Sequence, residues 1–167
     1  MFFNQMKLFF LFGVLILNCF VTFSQQADYI ILSLGRVSCK SERIINDSNA
    51  KLIIEKGISI LTVLADRFID STVSLVYSDC NNRYLTVGEL AIILADRVEM
   101  MPYFPLTGIE NCTMKFCDKN PNLIEYYFNT IHNRLTIDEF QRRYKAWLKS
   151  KNRRKGRWLP PGRPNND

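Results

Sequence analysis

The segment running from Thr86 through Ala95 constrains the fold of this chain more than any other. Thr86-Val87-Gly88-Glu89 has the spacing of a capping box. In such a box the threonine and the glutamate satisfy each other's exposed backbone donors and mark a helix start. Leu90-Ala91-Ile92-Ile93-Leu94-Ala95 then leaves the helix no polar side. A helix that is apolar all round must be covered all round. The rest of the chain therefore has to supply elements that wrap it. The predicted helix runs to about Met101, where Pro102 ends it by pushing the preceding residue out of the helical region.

The wrapping elements also read as helices. From Ser48 to about Asp70, the residues Ile53, Gly57, Ile60, Leu61, Leu64 and Phe68 recur at helical spacing. Ser59, Thr62, Asp66 and Asp70 form the opposing polar stripe, and Asp47 or Ser48 serves as the cap. The β-branched content is high, so beyond that region a strand at Val73–Tyr77 competes with continuation of the helix. Asn120-Pro121 suits a helix start, with Leu123, Ile124, Tyr127, Phe128 and Ile131 on one face. Thr136-Ile137-Asp138-Glu139 is a second capping box, followed by Ile137, Phe140, Tyr144, Trp147 and Leu148 at helical spacing. Pro102–Lys119 reads as irregular, and Tyr29–Leu34 as a short strand or a helical turn. The expected fold is all-α, a compact bundle of four to five helices, with a short strand at the N-terminus as an option. Leu64-Ala65-Asp66-Arg67 returns as Leu94-Ala95-Asp96-Arg97, either a duplicated helical unit or a coincidence between two amphipathic helices.

The 167 residues carry a formal charge of +6, unevenly distributed. The stretch 149–167 alone holds Lys149, Lys151, Arg153, Arg154, Lys155, Arg157 and Arg163 against Asp167. The expected body, 25–148, is close to neutral. A basic nucleic-acid-binding domain is therefore not the reading, although the overall charge suggests one. Residues 1–24 read as a signal peptide: Lys7, then the uncharged run Leu8–Phe23, then Ser24. The run is short for a spanning helix, which needs roughly 20 apolar residues, so export to the periplasm or medium is expected, with an uncleaved anchor as the alternative. The three expected regions are thus 1–24, a single helical domain at 25–148, and a basic, Pro-rich, disordered tail at 149–167.

Beyond the leader, four cysteines remain: Cys39, Cys80, Cys112 and Cys117. An even number in an exported chain predicts two disulfides, with three connectivities open. The reading taken here closes a small ring between Cys112 and Cys117 and staples Cys39 to Cys80. A four-thiolate metal site is the rival, but Cys39 and Cys80 are isolated, whereas zinc sites show two close pairs. No metal or other cofactor is expected.

Little in the sequence points to catalysis. The single histidine, His132, lies near a helix end, where a cation suits the helix dipole. No phosphate-cradling glycine loop, zinc-binding helix motif or nucleophile elbow is present. The one catalytic candidate is a carboxylate pair, Asp66 with Asp96, which could divide acid and base roles if their helices met. Among the aromatic residues, Tyr126 falls off its helix's apolar face and Tyr103 sits in an irregular stretch, so both are candidate binding residues. In the tail, Arg153, Arg154, Lys155 and Trp158 are candidates for holding an anionic lipid or polymer surface. The function expected is binding of a protein partner in the cell envelope, in the manner of an immunity or inhibitor protein. The alternatives are a carboxylate-based envelope hydrolase and a tail-anchored surface protein. Oligomeric state is left open.

Overall fold

The computed structural model describes residues 29–110, 117, 120–150 and 153. The leader, Cys112 and the tail residues Arg154, Lys155 and Trp158 lie outside the described residues. The described chain is mostly helical and carries one two-stranded sheet. Residues 29–36 are helical (α1) and bury Ile30 and Leu34, so the strand option for this segment is corrected. A 3-10 segment, Ser41–Asn46, leads into α2, Ser48–Ile54. A second 3-10 segment, Gly57–Ile60, leads into α3, Leu61–Asp66. The strands are β1, Val73–Ser78, and β2, Arg83–Thr86. Then come α4, Val87–Val98, and α5, Tyr103–Thr107. The 3-10 segment Leu123–Tyr127, α6, Phe128–Asn133, and α7, Ile137–Lys149, complete the order.

α4 is the axis of the molecule. Its eight residues Gly88 through Ala95 are all buried, and α2, α3, both strands and the Leu123–Tyr127 segment pack against it. Both halves of its capping box form: Glu89 N donates to Thr86 Oγ1 at 3.1 Å, and Thr86 N donates to Glu89 Oε2 at 2.8 Å. The box matters more here than at a surface helix, because the start of α4 also touches the chain that precedes the hairpin. Val87 N donates to Thr72 O at 2.7 Å and Gly88 N to Asp70 O at 2.9 Å.

The structure changes several sequence expectations, each for a local reason. The helix expected from Ser48 to Asp70 is broken. Gly57 takes φ +61°, a left-handed conformation that interrupts an α-helix, and the chain restarts as a 3-10 turn. Ile53, Ile60, Leu61, Leu64 and Phe68 nevertheless all face the core, because the break keeps the same side inward. The residues after Asp66 form the hairpin rather than more helix. β1 and β2 run antiparallel, pairing Val73 with Thr86, Tyr77 with Tyr84 and Ser78 with Arg83. Asn82, at φ +51°, supplies the left-handed residue just before β2.

Pro102–Lys119 is not wholly irregular, since Tyr103–Thr107 makes a helical turn closed by Gly108 at φ +73°. The helix expected at Asn120-Pro121 starts later, as the 3-10 segment at Leu123, although Asn120 Oδ1 accepts from Asn122 N at 2.9 Å as a cap would. At α7 only half of the second capping box forms. Thr136 Oγ1 accepts from Glu139 N at 3.2 Å, while the Glu139 carboxylate turns to Arg142 and Arg143.

The cysteine pairing is also corrected. Cys80 bonds to Cys117 across 37 residues, and Cys39 is a free thiol. One disulfide thus stands among the described residues, where two were expected from Cys39, Cys80, Cys112 and Cys117. The cross-link ties the hairpin turn to the segment before Asn120, a contact between distant parts of the chain that spacing alone does not disclose.

Candidate functional site

Among the described residues, three carboxylates sit wholly or largely inside the body, and their partners determine what each can do. Glu89 is buried at the base of α4. Arg83, from β2, grips it with both terminal nitrogens, Nη1 lying 2.7 Å from Oε2. His132, at the end of α6, brings Nε2 to 2.9 Å from Oε1. Burial pushes the Glu89 pKa up, but the bonds from Arg83, Thr86 N and His132 outweigh it and hold the carboxyl below its ordinary range. The lowered value means that stability from this site is present above the unfolded pKa and is lost as pH falls through the folded one. Glu89→Ala should therefore destabilise the fold at neutral pH by about 1–3 kcal/mol, through loss of the capping box and of the acceptor for the partly exposed Arg83 and His132. Glu89→Gln should cost less and should flatten the acid limb of a stability–pH curve measured by chemical denaturation.

Glu125 is the second buried carboxylate, and its hydrogen-bond donors among the described residues are neutral, with the charge of Arg83 close enough to interact with it. Ser41 Oγ donates to it at 3.1 Å and Asn81 Nδ2 at 3.2 Å, with Ser78 Oγ and Asn120 Nδ2 completing the set. These residues come from the first 3-10 segment, the end of β1, the hairpin turn and the loop after Cys117. The carboxylate and the Cys80–Cys117 bond thus fasten the same corner. Its full burial makes it a structural centre, because no substrate atom can reach it. Its sequence signal is a charged residue inside the otherwise apolar run Leu123–Phe128, which pattern reading passed over.

Asp96 is the third, near the C-terminal end of α4. Its Oδ1 accepts from Met101 N at 2.8 Å and its Oδ2 from Tyr103 OH at 2.9 Å. Burial raises its pKa against the opposing effect of these bonds and of Arg97. A raised carboxylate pKa has the opposite sign to Glu89: the folded state binds the proton more tightly, so this group lowers stability as pH rises through the ordinary Asp range to its folded pKa. Asp96→Asn should remove that fall, leaving a flatter profile over the same interval in denaturant titrations.

The carboxylate pair expected from the sequence does not share an environment. Asp66 is exposed and meets Lys145 at 2.7 Å, while Asp96 is turned inward to Tyr103 and Met101. The two share no partner, and the four-letter echo that contains them occupies two unlike settings. The tyrosines marked for binding are also committed within the fold. Tyr103 stacks on Tyr127 at 5.1 Å between ring centroids, and Tyr126 OH donates to Cys117 O and Asn120 O, both at 2.7 Å. Arg153 is folded back on the body: its Nη2 lies 2.8 Å from Glu99 Oε2 and its guanidinium covers the Trp147 ring. Burial, with Asp47 and Glu42 beside it, raises the Cys39 thiol to about 11, so at neutral pH it stays protonated and is a poor nucleophile. Among the described residues no group of three His, Cys, Asp or Glu is placed to hold a metal ion.

Among the described residues, the outer face of the hairpin is open to a partner. Side chains alternate along β1: Ser74, Val76 and Ser78 point inward and are buried, while Val73 and Leu75 point outward, 69% and 56% exposed. On β2 Leu85 is inward and Tyr84 outward, 55% exposed. Tyr77 and Tyr84 meet edge to face across the strands at 5.2 Å. Tyr77 OH donates to Asn82 Oδ1 at 2.7 Å, which fixes the aromatic pair against the turn. Hairpins with one solvated face usually carry polar residues there. Here the solvated face is a row of Val73, Leu75, Tyr77 and Tyr84.

The hairpin is also held rigidly from behind. β1 is bridged to Lys40, with Tyr77 N donating to Cys39 O at 3.1 Å. Lys40 pairs with Asp79 at 2.6 Å, and Cys80 carries the disulfide. Comparison with family models, curated proteins and solved structures returns no match.

Proposed function

We propose that this is an exported helical protein that works by binding a protein partner in the cell envelope, and that the outward face of the β-hairpin is its contact surface. The observation that carries the reading is the exposed row Val73, Leu75, Tyr77 and Tyr84 on a hairpin braced by a disulfide, a bridge to Lys40 and the start of α4. Contiguous exposed apolar surface on a small domain is characteristic of interaction sites. Tyrosines offer large contact area with few rotatable bonds, and the bracing lowers the ordering cost on association. The partner face is apolar, since it must match aliphatic and aromatic side chains. The absence of a shared environment for Asp66 and Asp96 leaves binding, of the inhibitor or immunity kind, as the better-supported activity.

Leu75 and Tyr84 are more than half exposed, and the one ring contact of Tyr84, to Tyr77, contributes at most about 1 kcal/mol, so substitution there tests binding with little cost to folding. Leu75→Asp and Tyr84→Asp should leave the thermal midpoint within a few degrees of the parent while abolishing co-purification with the envelope partner. Retention of the same partner by both variants would remove the hairpin face from the reading.

A further inference from the structure

A second open feature is a shallow cleft of about 420 Å3 between the Ser41–Asn46 segment, α2 and the last turn of α4, lined by Ile45, Lys51, Ile54, Glu55 and Arg97. Its volume lies near the lower end of the range for small-ligand sites, about 300–1,000 Å3. The two isoleucines make an aliphatic floor. Three charged side chains stand around it, and among the described residues none of them takes part in an ion pair.

Arg97 is the fixed member of the three. Its Nε donates to Asn122 Oδ1 at 2.9 Å, and Nη2 donates to the same oxygen. Asn122 is itself buried and immobilised: its Nδ2 donates to Ser41 O at 2.6 Å and its backbone N to Asn120 Oδ1 at 2.9 Å. The guanidinium is therefore positioned by a neutral amide rather than by a carboxylate in an ion pair, although the Asp96 carboxylate next to it in the chain feels its charge. Lys51, one turn before Glu55 on the same side of α2, adds a second cation, and Glu55 adds an acceptor for N–H donors.

From these observations we infer that the cleft binds the carboxylate of an aliphatic amino acid, either a free amino acid or the C-terminal residue of a peptide chain. Arg97 and Lys51 take the carboxylate, Ile45 and Ile54 take the aliphatic side chain, and Glu55 accepts from the ammonium or from the peptide N–H. A pre-positioned guanidinium is suited to this because a charge-assisted bond to a carboxylate is about twice as strong as a neutral one, and little ordering cost remains. The inference rests on this cleft alone and does not depend on the hairpin reading.

The test is an NMR titration of the full, oxidised chain, following the Arg97 Nε–H and the Ile45 and Ile54 methyl resonances. The probes are leucine, N-acetyl-leucine and N-acetyl-leucinamide. Leucine and N-acetyl-leucine should shift all three resonances saturably, and N-acetyl-leucinamide, which lacks the carboxylate, should bind at least about tenfold more weakly, a difference of about 1.4 kcal/mol. Tighter binding of leucine assigns the site to free amino acids through Glu55, and tighter binding of N-acetyl-leucine assigns it to chain ends. Arg97→Gln should weaken both by a similar factor. Because that change also touches Asn122, Lys51→Gln, at an exposed position, is the second variant and should weaken carboxylate binding with the remaining methyl spectrum unchanged. No saturable shift with either carboxylate probe, or equal binding of N-acetyl-leucinamide, overturns the assignment.

Discussion

Replacing Gly88 by alanine should destabilise the protein by roughly 3 kcal/mol or more, a large share of the stability of a domain this size. The direction is informative because helix propensity alone argues the opposite: alanine is favoured over glycine inside a helix by about 1 kcal/mol. Packing decides against it. A Cβ at Gly88 would stand 2.2 Å from Phe68 O, 2.9 Å from Phe68 C and 3.0 Å from Asp70 O. These are backbone atoms, so no side-chain rotation can relieve the overlap. The start of α4 would have to withdraw from the 68–72 segment, breaking Gly88 N to Asp70 O and Val87 N to Thr72 O. A denaturant titration of Gly88→Ala should show a lower midpoint with an unchanged slope. A gain in stability would mean that α4 does not approach the 68–72 segment this closely.

The second large effect is expected at the disulfide. Opening a cross-link across 37 residues, by Cys80→Ser with Cys117→Ser, should cost about 4 kcal/mol in the chain-entropy description. The loss should exceed that of a simple loop release in one respect. The Glu125 donors Ser78 and Asn81 flank Cys80, and Asn120 follows Cys117, so loosening this corner also loosens the network around a buried carboxylate. Cys39→Ala, at a half-buried free thiol, should change stability by less than about 1.5 kcal/mol. Peptide mapping under non-reducing conditions checks the pairing directly: a Cys80–Cys117 peptide is expected, and a Cys39–Cys80 peptide would contradict the fold at that corner.

How much of this could be read from the residues depends on how local the controlling forces are. The α4 start was fully legible, because a capping box and an all-apolar run are contained in ten consecutive residues. The inward faces of the Ser48–Asp70 region and of α7 were legible for the same reason, since helical spacing survives the interruption at Gly57. The hairpin was only half legible. The run Val73–Tyr77 has strand character, but whether it pairs depends on β2, which directly abuts the capping box and looks like a helix approach.

The disulfide partner was not legible, because Cys80 and Cys117 lie 37 residues apart and are joined by tertiary packing rather than by spacing. The buried centres were missed for a related reason. Glu89 was recognised as a cap, but its grip by Arg83 and His132 joins three elements. Glu125 meets donors up to 84 residues away in the chain. Tyr103, Tyr126 and Arg153 are candidate binding residues by pattern, and each is half-buried with partners in the fold that the pattern does not disclose.

The central claim is that the hairpin's outer face meets a protein partner, and site-specific photo-crosslinking tests it most directly. A photoreactive phenylalanine analogue placed at Leu75, in the full chain expressed in its own cells, should give one predominant adduct with a second protein. The adduct should disappear when Tyr84→Asp is added, and the same analogue at exposed Ile58 should give none. Adducts of equal yield from both positions, an adduct only with a second copy of this chain, or no adduct from Leu75 would contradict the account.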